Sequence, residues 1–382
     1  MRARSGSIRC SSRSTRLSGN ITFPRPARTF TRPSSSAAIK REGRLSSRLP
    51  PRGLREWAPA PFRPSWFCQG PHLQSFWGAL FRGGLRVPWR RERWDTPDGD
   101  FLDIDFVDPG RAEAPTLLLL HGLEGSSDSH YIRGLAAGAS ALGWCAAALN
   151  FRSCSGEPNR MPRLYHSAET GDLDFAARRL AGRVKGPLLI AGFSLGGNVL
   201  LKWLGERGEG LPPSLRGAAA VSASFEAGEC ARVIDRPGGA IYRRPLLSTL
   251  RAKCQELSAR YPGIIDTERV RRARTFVEFD RWATAPVHGY ADEREYYAAA
   301  SSIEDIPEIR LPALILSARN DPIVPERSYP AEAVRTSPWL RGLFLPAGGH
   351  AGFIGGRNPA APEYWGEGCV LSYLAACLEG WE

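Results

Sequence analysis

Between residues 115 and 224 the chain repeats one pattern, a short apolar run followed by a stretch with amphipathic-helix spacing. The runs "PTLLLL" (115–120), "WCAAALNF" (144–151), "PLLIAGFS" (187–194) and "GAAAVSAS" (217–224) show no polar alternation, as expected of strands covered on both faces. Between them lie the helical stretches "YIRGLAAGASALG" (131–143), "SAETGDLDFAARRLAGR" (167–183) and "NVLLKWLGE" (198–206). Buried strands alternating with helices imply the α/β class, with a mostly parallel, doubly wound sheet carrying helices on both faces. Upstream, "FLDIDFVD" (101–108) alternates apolar and polar residues and predicts a half-exposed strand. The rhythm stops at 226–302, which is helix-patterned and rich in arginine and aromatics. It resumes with "ALILSARND" (313–321), a helix near 326–335, "GLFLPAGGH" (342–350) and a C-terminal helix around 362–379. The simplest reading is one α/β domain over 56–382, with 226–302 inserted as a helical lid.

The net charge of +12 invites a nucleic-acid reading until the charge is located. Residues 1–55 hold 14 Lys and Arg and one acid, whereas 56–382 hold 37 basic and 38 acidic residues. The basic balance therefore belongs to an Arg/Ser-rich N-terminal segment without hydrophobic periodicity, expected to be disordered. It reads as a transit peptide, as a tail touching RNA or membrane, or as an extension without a role, the last being preferred. No secretory leader core and no membrane-spanning run of about 20 apolar residues is present in the sequence. The eight cysteines have no C-x-x-C spacing and read as reduced core residues of a cytoplasmic protein.

The stretch "AGFSLGGN" (191–198) places Ser194 between glycines where a buried strand meets a helix. Small residues there permit a tight strand-to-helix turn, and the same G-x-S-x-G turn can hold a hydroxyl up for attack on a carbonyl. Asp321 ends another apolar run and His350 follows a third. Each has a plain structural reading: Ser194 as a turn residue, Asp321 as a cap for the next helix, His350 as a packed histidine. Their order and strand-end placement favour a nucleophile, acid and base instead. Serine is a poor nucleophile until a histidine takes its proton, and a carboxylate must orient that histidine. Asp292 and Asp305 compete for the acid's place, and His288 for the base's. Backbone N–H groups of Leu195 and of Leu123 in "HGLEG" are the candidate oxyanion donors, while His121 reads as structural.

The segments "GPHLQSFWGALF", "HGLEGSSDSHYI", "NFRSCSGEPNRMPRLYHSAET" and "GFSLGGNVLLKWLGE" resemble the YheT-like branch of the α/β-hydrolases. That branch also contains plant embryogenesis-associated and animal lipase-like abhydrolase proteins. Asp280, Gly289-Tyr290, Glu295-Tyr296-Tyr297, Ser301 and "IRLPALILSARND" follow the same spacing. The resemblance spans about residues 65–380 and departs at Ser153, where glycine is expected.

The resemblance implies an α/β-hydrolase fold and a serine carboxylesterase or lipase that needs no metal or organic cofactor. Short-chain esters are the implied in vitro substrates and monoacylglycerols or phospholipids the implied natural ones. The near-neutral core, with only the arginines of 269–274 as a local anion trap, favours short- to medium-chain neutral esters and monoacylglycerols over phospholipids. Thioesterase, acyltransferase or phospholipase activity on the same triad is the alternative, and a non-catalytic hydrolase-fold binding protein is the least favoured. An aspartate-nucleophile hydrolase is disfavoured by Ser194. Phe276, Phe279, Trp282 and Tyr290 of the insertion are expected to line the acyl site, although helical apolar spacing also suits plain core. The expected partner is a small ester or lipid rather than nucleic acid, with peripheral membrane contact left open and the oligomeric state unspecified.

Overall fold

A computed structural model describes residues 54–379 apart from 55, 109 and 112. They lie within one contact unit, Arg44–Glu382. The predicted extension over 1–55 falls almost wholly outside the described residues.

Eight strands form one sheet in the order β1-β2-β4-β3-β5-β6-β7-β8. They are β1 (Arg90–Asp95), β2 (Phe101–Val107), β3 (Thr116–Leu120), β4 (Cys145–Asn150), β5 (Leu188–Phe193), β6 (Leu215–Val221), β7 (Ala313–Ala318) and β8 (Leu340–Leu345). The pairs β1–β2 and β2–β4 are antiparallel. From β4 to β8 every neighbouring pair is parallel. Strands β3, β5 and β7 are buried at every position, because helices cover both faces and continuous apolar runs remove the most surface from water there. One face packs against helices Thr170–Arg183 and Leu195–Arg207, through Leu173, Leu180, Leu200 and Trp203. The other packs against His130–Ala141 and Trp365–Leu378, through Leu135, Ala139, Val370 and Tyr373.

One strand-level expectation needs correction, and two elements went unforeseen. Strand β2 is not half-exposed, since its first five residues are buried. Asp103 and Asp105 on its polar face pair with Arg93 and Arg91 of β1, at 2.8 and 2.7 Å. Strand β1 itself, "RRERWD", carries no apolar run to betray it; its arginines cover the sheet by snorkelling. A two-stranded ribbon, Ile354–Gly355 with Glu363–Tyr364, was also unanticipated.

Residues 226–302 contain no strand and fold into helices, with Ala227–Ile234, Ala240–Arg260 and Glu293–Ala300 the longest. The insertion's two ends are pinned where the Ala227 N–H donates to Ser301 Oγ at 3.1 Å. The seven described cysteines are all unpaired, six of them buried. Among the described residues no helix is long and apolar enough to cross a membrane.

Candidate active site

Ser194 sits between the end of β5 and helix Leu195–Arg207 with φ 51° and ψ −117°. A non-glycine residue at positive φ is strained, at about 1–3 kcal/mol, and persists only where neighbours over-determine it. Those neighbours are visible. A Cβ on Gly192 would lie 2.5 Å from Gly196 O, and one on Gly196 would lie 2.5 Å from His121 O and 2.7 Å from Leu120 O. Backbone occupies both places, so the turn closes only with glycine on either side of the serine. Its N–H is held by Val221 O of β6 at 2.9 Å.

The residues predicted at three strand ends meet in one hydrogen-bonded chain. Ser194 Oγ lies 2.9 Å from His350 Nε2, and His350 Nδ1 lies 2.8 Å from Asp321 Oδ2. The Asp321 side chain is fully buried and the His350 ring is 14% exposed. Asp321 also does what its plain structural reading required: its Oδ1 accepts the N–H groups of Ile323 at 2.8 Å and Val324 at 3.0 Å. One oxygen shapes the turn and fixes the carboxylate, leaving the other for the imidazole.

The rival residues lie elsewhere. Asp292 caps helix Glu293–Ala300. Asp305 pairs with Lys202 at 2.9 Å. His288 packs against His166 with ring centroids 4.0 Å apart, and burial drives its pKa well below the usual value.

The loop carrying His350 is tied from three directions. Asn320 Oδ1 accepts from Gly349 N–H at 3.1 Å, Ser75 Oγ from His350 N–H at 2.8 Å, and Ser222 Oγ from Ala351 N–H at 3.0 Å. Ser75 in turn donates to Pro71 O at 2.7 Å. None of these supports was read from the sequence. Ser75 lies 275 residues from His350, and only its place in "GPHLQSFWGALF" marked the segment.

The loop after β3 completes the surroundings. A Cβ on Gly122 would touch Ser194 Cβ at 3.2 Å, so Leu123 follows a residue in contact with the serine. Leu195 opens its helix, so its N–H has no intrahelical acceptor and stands at the positive end of the helix dipole. His121 is structural in position: its Nε2 accepts from Phe151 N–H at 3.1 Å and its Nδ1 donates to Gly122 O at 2.7 Å. Burial pushes its pKa down to about 4, which keeps it neutral. Glu124, with φ 57°, is gripped by Tyr165 and by Lys253 of the insertion, whose Nζ lies 2.7 Å from Glu124 Oε1. Ser153, the departure from the expected glycine, adopts φ 61° and is held there by Asn159, whose Oδ1 accepts its N–H.

The four expected acyl-site residues divide. Phe276, Phe279 and Trp282 share one apolar cluster that also takes in Leu123, from the loop after β3, and Ile323, from the turn after Asp321. Phe276 and Phe279 are buried within it, so they form its packing as well as facing the site's surroundings. Tyr290 belongs to a different cluster, with Ala285, Tyr296 and Ala300, and does not join them. Among the described residues no group of three or more His, Cys, Asp or Glu side chains could hold a metal ion.

Residues 115–356 match the alpha/beta hydrolase fold family. The chain is 37% identical to the Escherichia coli (strain K12) protein named "Putative esterase YheT", over 81% of this chain and 91% of that one. It is 30% identical to the Mus musculus protein named phospholipase ABHD3, over 79% and 75%. It is also 30% identical to the Saccharomyces cerevisiae (strain ATCC 204508 / S288c) protein named monoacylglycerol lipase, over 73% and 62%. With the sheet order, the serine turn and these likenesses in place, the chain belongs to the α/β-hydrolase-fold family, as an esterase- and lipase-like hydrolase.

Proposed function

We propose that this protein is a serine carboxylesterase that cleaves short- to medium-chain acyl esters and monoacylglycerols through an acyl-serine intermediate. The reading is carried by the unbroken chain from Ser194 Oγ through the His350 ring to Asp321, at 2.9 and 2.8 Å. With Asp321 accepting at Nδ1, the neutral imidazole holds its proton there and turns a lone pair on Nε2 toward the serine. His350 takes the hydroxyl proton as Ser194 attacks the ester carbonyl. The tetrahedral oxyanion is met by the N–H groups of Leu195 and Leu123. Collapse passes the proton from His350 to the leaving alcohol, and water repeats the sequence to release the acid.

The preference for neutral esters rests on the insertion. Its wall toward Leu123 is apolar, and each methylene buried there adds about 0.8 kcal/mol of binding. Three of the four arginines of 269–274 are already paired within the insertion, Arg274 being the exception. Arg269 pairs with Asp266 at 3.1 Å and lies over the Trp282 ring, while Arg271 and Arg272 share Glu268 at 2.8 and 2.7 Å.

The test is kcat/KM for p-nitrophenyl esters from acetyl to palmitoyl, for a monoacylglycerol and for a lysophospholipid. A chain-length optimum, a neutral preference and loss of all turnover in Ser194→Ala are expected. A flat profile, a clear lysophospholipid preference or an active Ser194→Ala variant overturns the reading.

A further inference from the structure

Helix Pro71–Phe81 turns one side inward to the active site and another to solvent. Inward, Ser75 holds the His350 backbone and Gln74 is buried. Outward, Leu73, Leu80 and Phe81 are 37, 65 and 62% exposed, and Trp66, just before the helix, is 70% exposed. Trp66 and Phe81 are linked through two further rings. Ring contacts run from Trp66 to Phe67 at 5.7 Å, from Phe67 to Trp77 at 4.9 Å, and from Trp77 to Phe81 at 4.6 Å.

The insertion adds to the same surface. His72 Nδ1 meets Tyr242 OH at 2.9 Å and the Tyr242 ring stacks on Phe76 at 4.8 Å. Ile241, next to Tyr242, is 50% exposed. Leu73 and Ile241 are the chain neighbours of His72 and Tyr242, whose contact forms the seam between helix and insertion, and Ser75, which holds His350 N–H, belongs to the same helix. Single exposed apolar residues are ordinary, but a linked set bordering a site marks a surface that meets an apolar phase.

The cations around this patch indicate which phase. Arg63 precedes Trp66 by three residues, and the carbonyl of Arg357 accepts the Trp66 indole N–H at 2.9 Å. Arg86 follows Phe81, and Arg244 lies one turn from Ile241 on helix Ala240–Arg260. All four are exposed. None is among the ion pairs of the described residues, although most other arginines of the domain are. Aromatic side chains with arginines left for phosphate suit the headgroup region of an anionic lipid layer.

We propose that this face docks on anionic bilayer surfaces. Trp66, Leu73, Leu80, Phe81 and Ile241 enter the boundary between headgroups and acyl chains, and Arg63, Arg86, Arg244 and Arg357 pair with lipid phosphates. The seam beside Tyr242 then opens toward the lipid. That an ester lipid passes through it to Ser194 rests on the function proposed above; the docking itself does not.

The test is flotation of the full chain with vesicles of ether-linked phosphatidylcholine, with and without ether-linked phosphatidylglycerol, so that binding is read without turnover. High salt shortens the screening length from about 10 Å to about 3 Å. It therefore suppresses purely electrostatic binding by the basic residues of 1–55. Wild type is expected to bind anionic vesicles and to keep part of that binding at high salt. A Trp66→Ser, Leu80→Ser, Phe81→Ser, Ile241→Ser variant should lose at least about tenfold in high-salt partitioning, with its melting temperature and soluble short-ester turnover little changed. Arg86→Gln with Arg244→Gln should weaken the preference for phosphatidylglycerol. Wild-type flotation by the serine variant, or complete loss of wild-type binding at high salt, overturns the proposal. So does a concentration-dependent dimer that the serine substitutions abolish while vesicle binding persists.

Discussion

The inner parallel strands and the insertion treat polar groups differently. Strands β3, β5 and β7 are buried along their whole length, with Thr116 and Ser317 their only polar side chains, and Ser194 and Asp321 stand past the carboxyl ends of β5 and β7. There each is fixed by short backbone contacts, as Asp321 is by Ile323 and Val324. The insertion encloses ionisable groups within its packing. Asp280 is buried at a π-helical turn, accepting from Thr284 Oγ1 at 2.6 Å and Tyr297 OH at 2.8 Å. Asp235 takes the Phe276 and Val277 N–H groups, and Lys253 pairs with Glu124 of the core. Apolar packing around a tight backbone turn holds its geometry across pH. Buried ionisable groups make a layer whose stability changes with protonation. On this account the sheet ends hold the chemistry in place, while the insertion is the adjustable part that selects what reaches it.

The largest effects are expected where the sheet ends are cut. His350→Gln or Asp321→Asn should lower kcat by about 10³–10⁴-fold with the melting temperature nearly unchanged; a near-normal rate in either would dissolve the contrast. Gly196→Ala comes next, because its Cβ would press on two carbonyl oxygens of the backbone. It should lower stability by about 1–3 kcal/mol and kcat by at least about tenfold through a displaced serine. Wild-type rates in the Gly196→Ala variant would show that the turn is not as tight as described.

In the insertion the outcome should differ in kind. Phe279→Ala empties a site that is 3% exposed, costing about 3–5 kcal/mol locally. It should shift the acyl-length optimum more than it slows hydrolysis of acetyl esters. Equal losses across all chain lengths would assign Phe279 to support of the triad rather than to selection.

The smallest effect on turnover is expected at Asp280, where the change is in the pH dependence of stability. Burial pushes Asp280 up to about 7, against its hydrogen bonds from Thr284 and Tyr297 and with Asp235 and Glu293 adding repulsion. Unfolded, the carboxyl ionises near 4. Between about 4 and 7 the unfolded chain has released this proton and the folded one retains it, so this contribution to stability falls as pH rises, then levels off above 7. Asp280→Asn should remove that slope from melting temperatures measured across the range. An unchanged slope would place the titration elsewhere.

Legibility in the sequence follows the same division. The inner strands announced themselves because burial on both faces leaves continuous apolar runs. The serine turn did so because its glycines are demanded by backbone contacts within a few residues. Strand β1 was missed because arginine stems supply its apolar cover. Strand β2 was misjudged because Asp103 and Asp105 look solvent-facing until Arg93 and Arg91 are placed opposite them. Ser75, Ser222 and Asn320 support His350 from distant parts of the chain, and no local period encodes such meetings. Tyr290 was grouped with Phe276, Phe279 and Trp282 by residue type, whereas the turns between the helices carry it to another cluster.

The division between sheet ends and insertion depends on Ser194 being the activated nucleophile. Its most direct test is reaction of the intact protein with a fluorophosphonate, with the adduct mapped by mass spectrometry and its rate compared in His350→Gln and Phe279→Ala. A single adduct on Ser194 is expected, formed orders of magnitude more slowly in His350→Gln and at a nearly unchanged rate in Phe279→Ala. An adduct on another residue such as Ser153 or Ser155, or labelling of Ser194 that does not depend on His350, would contradict the account.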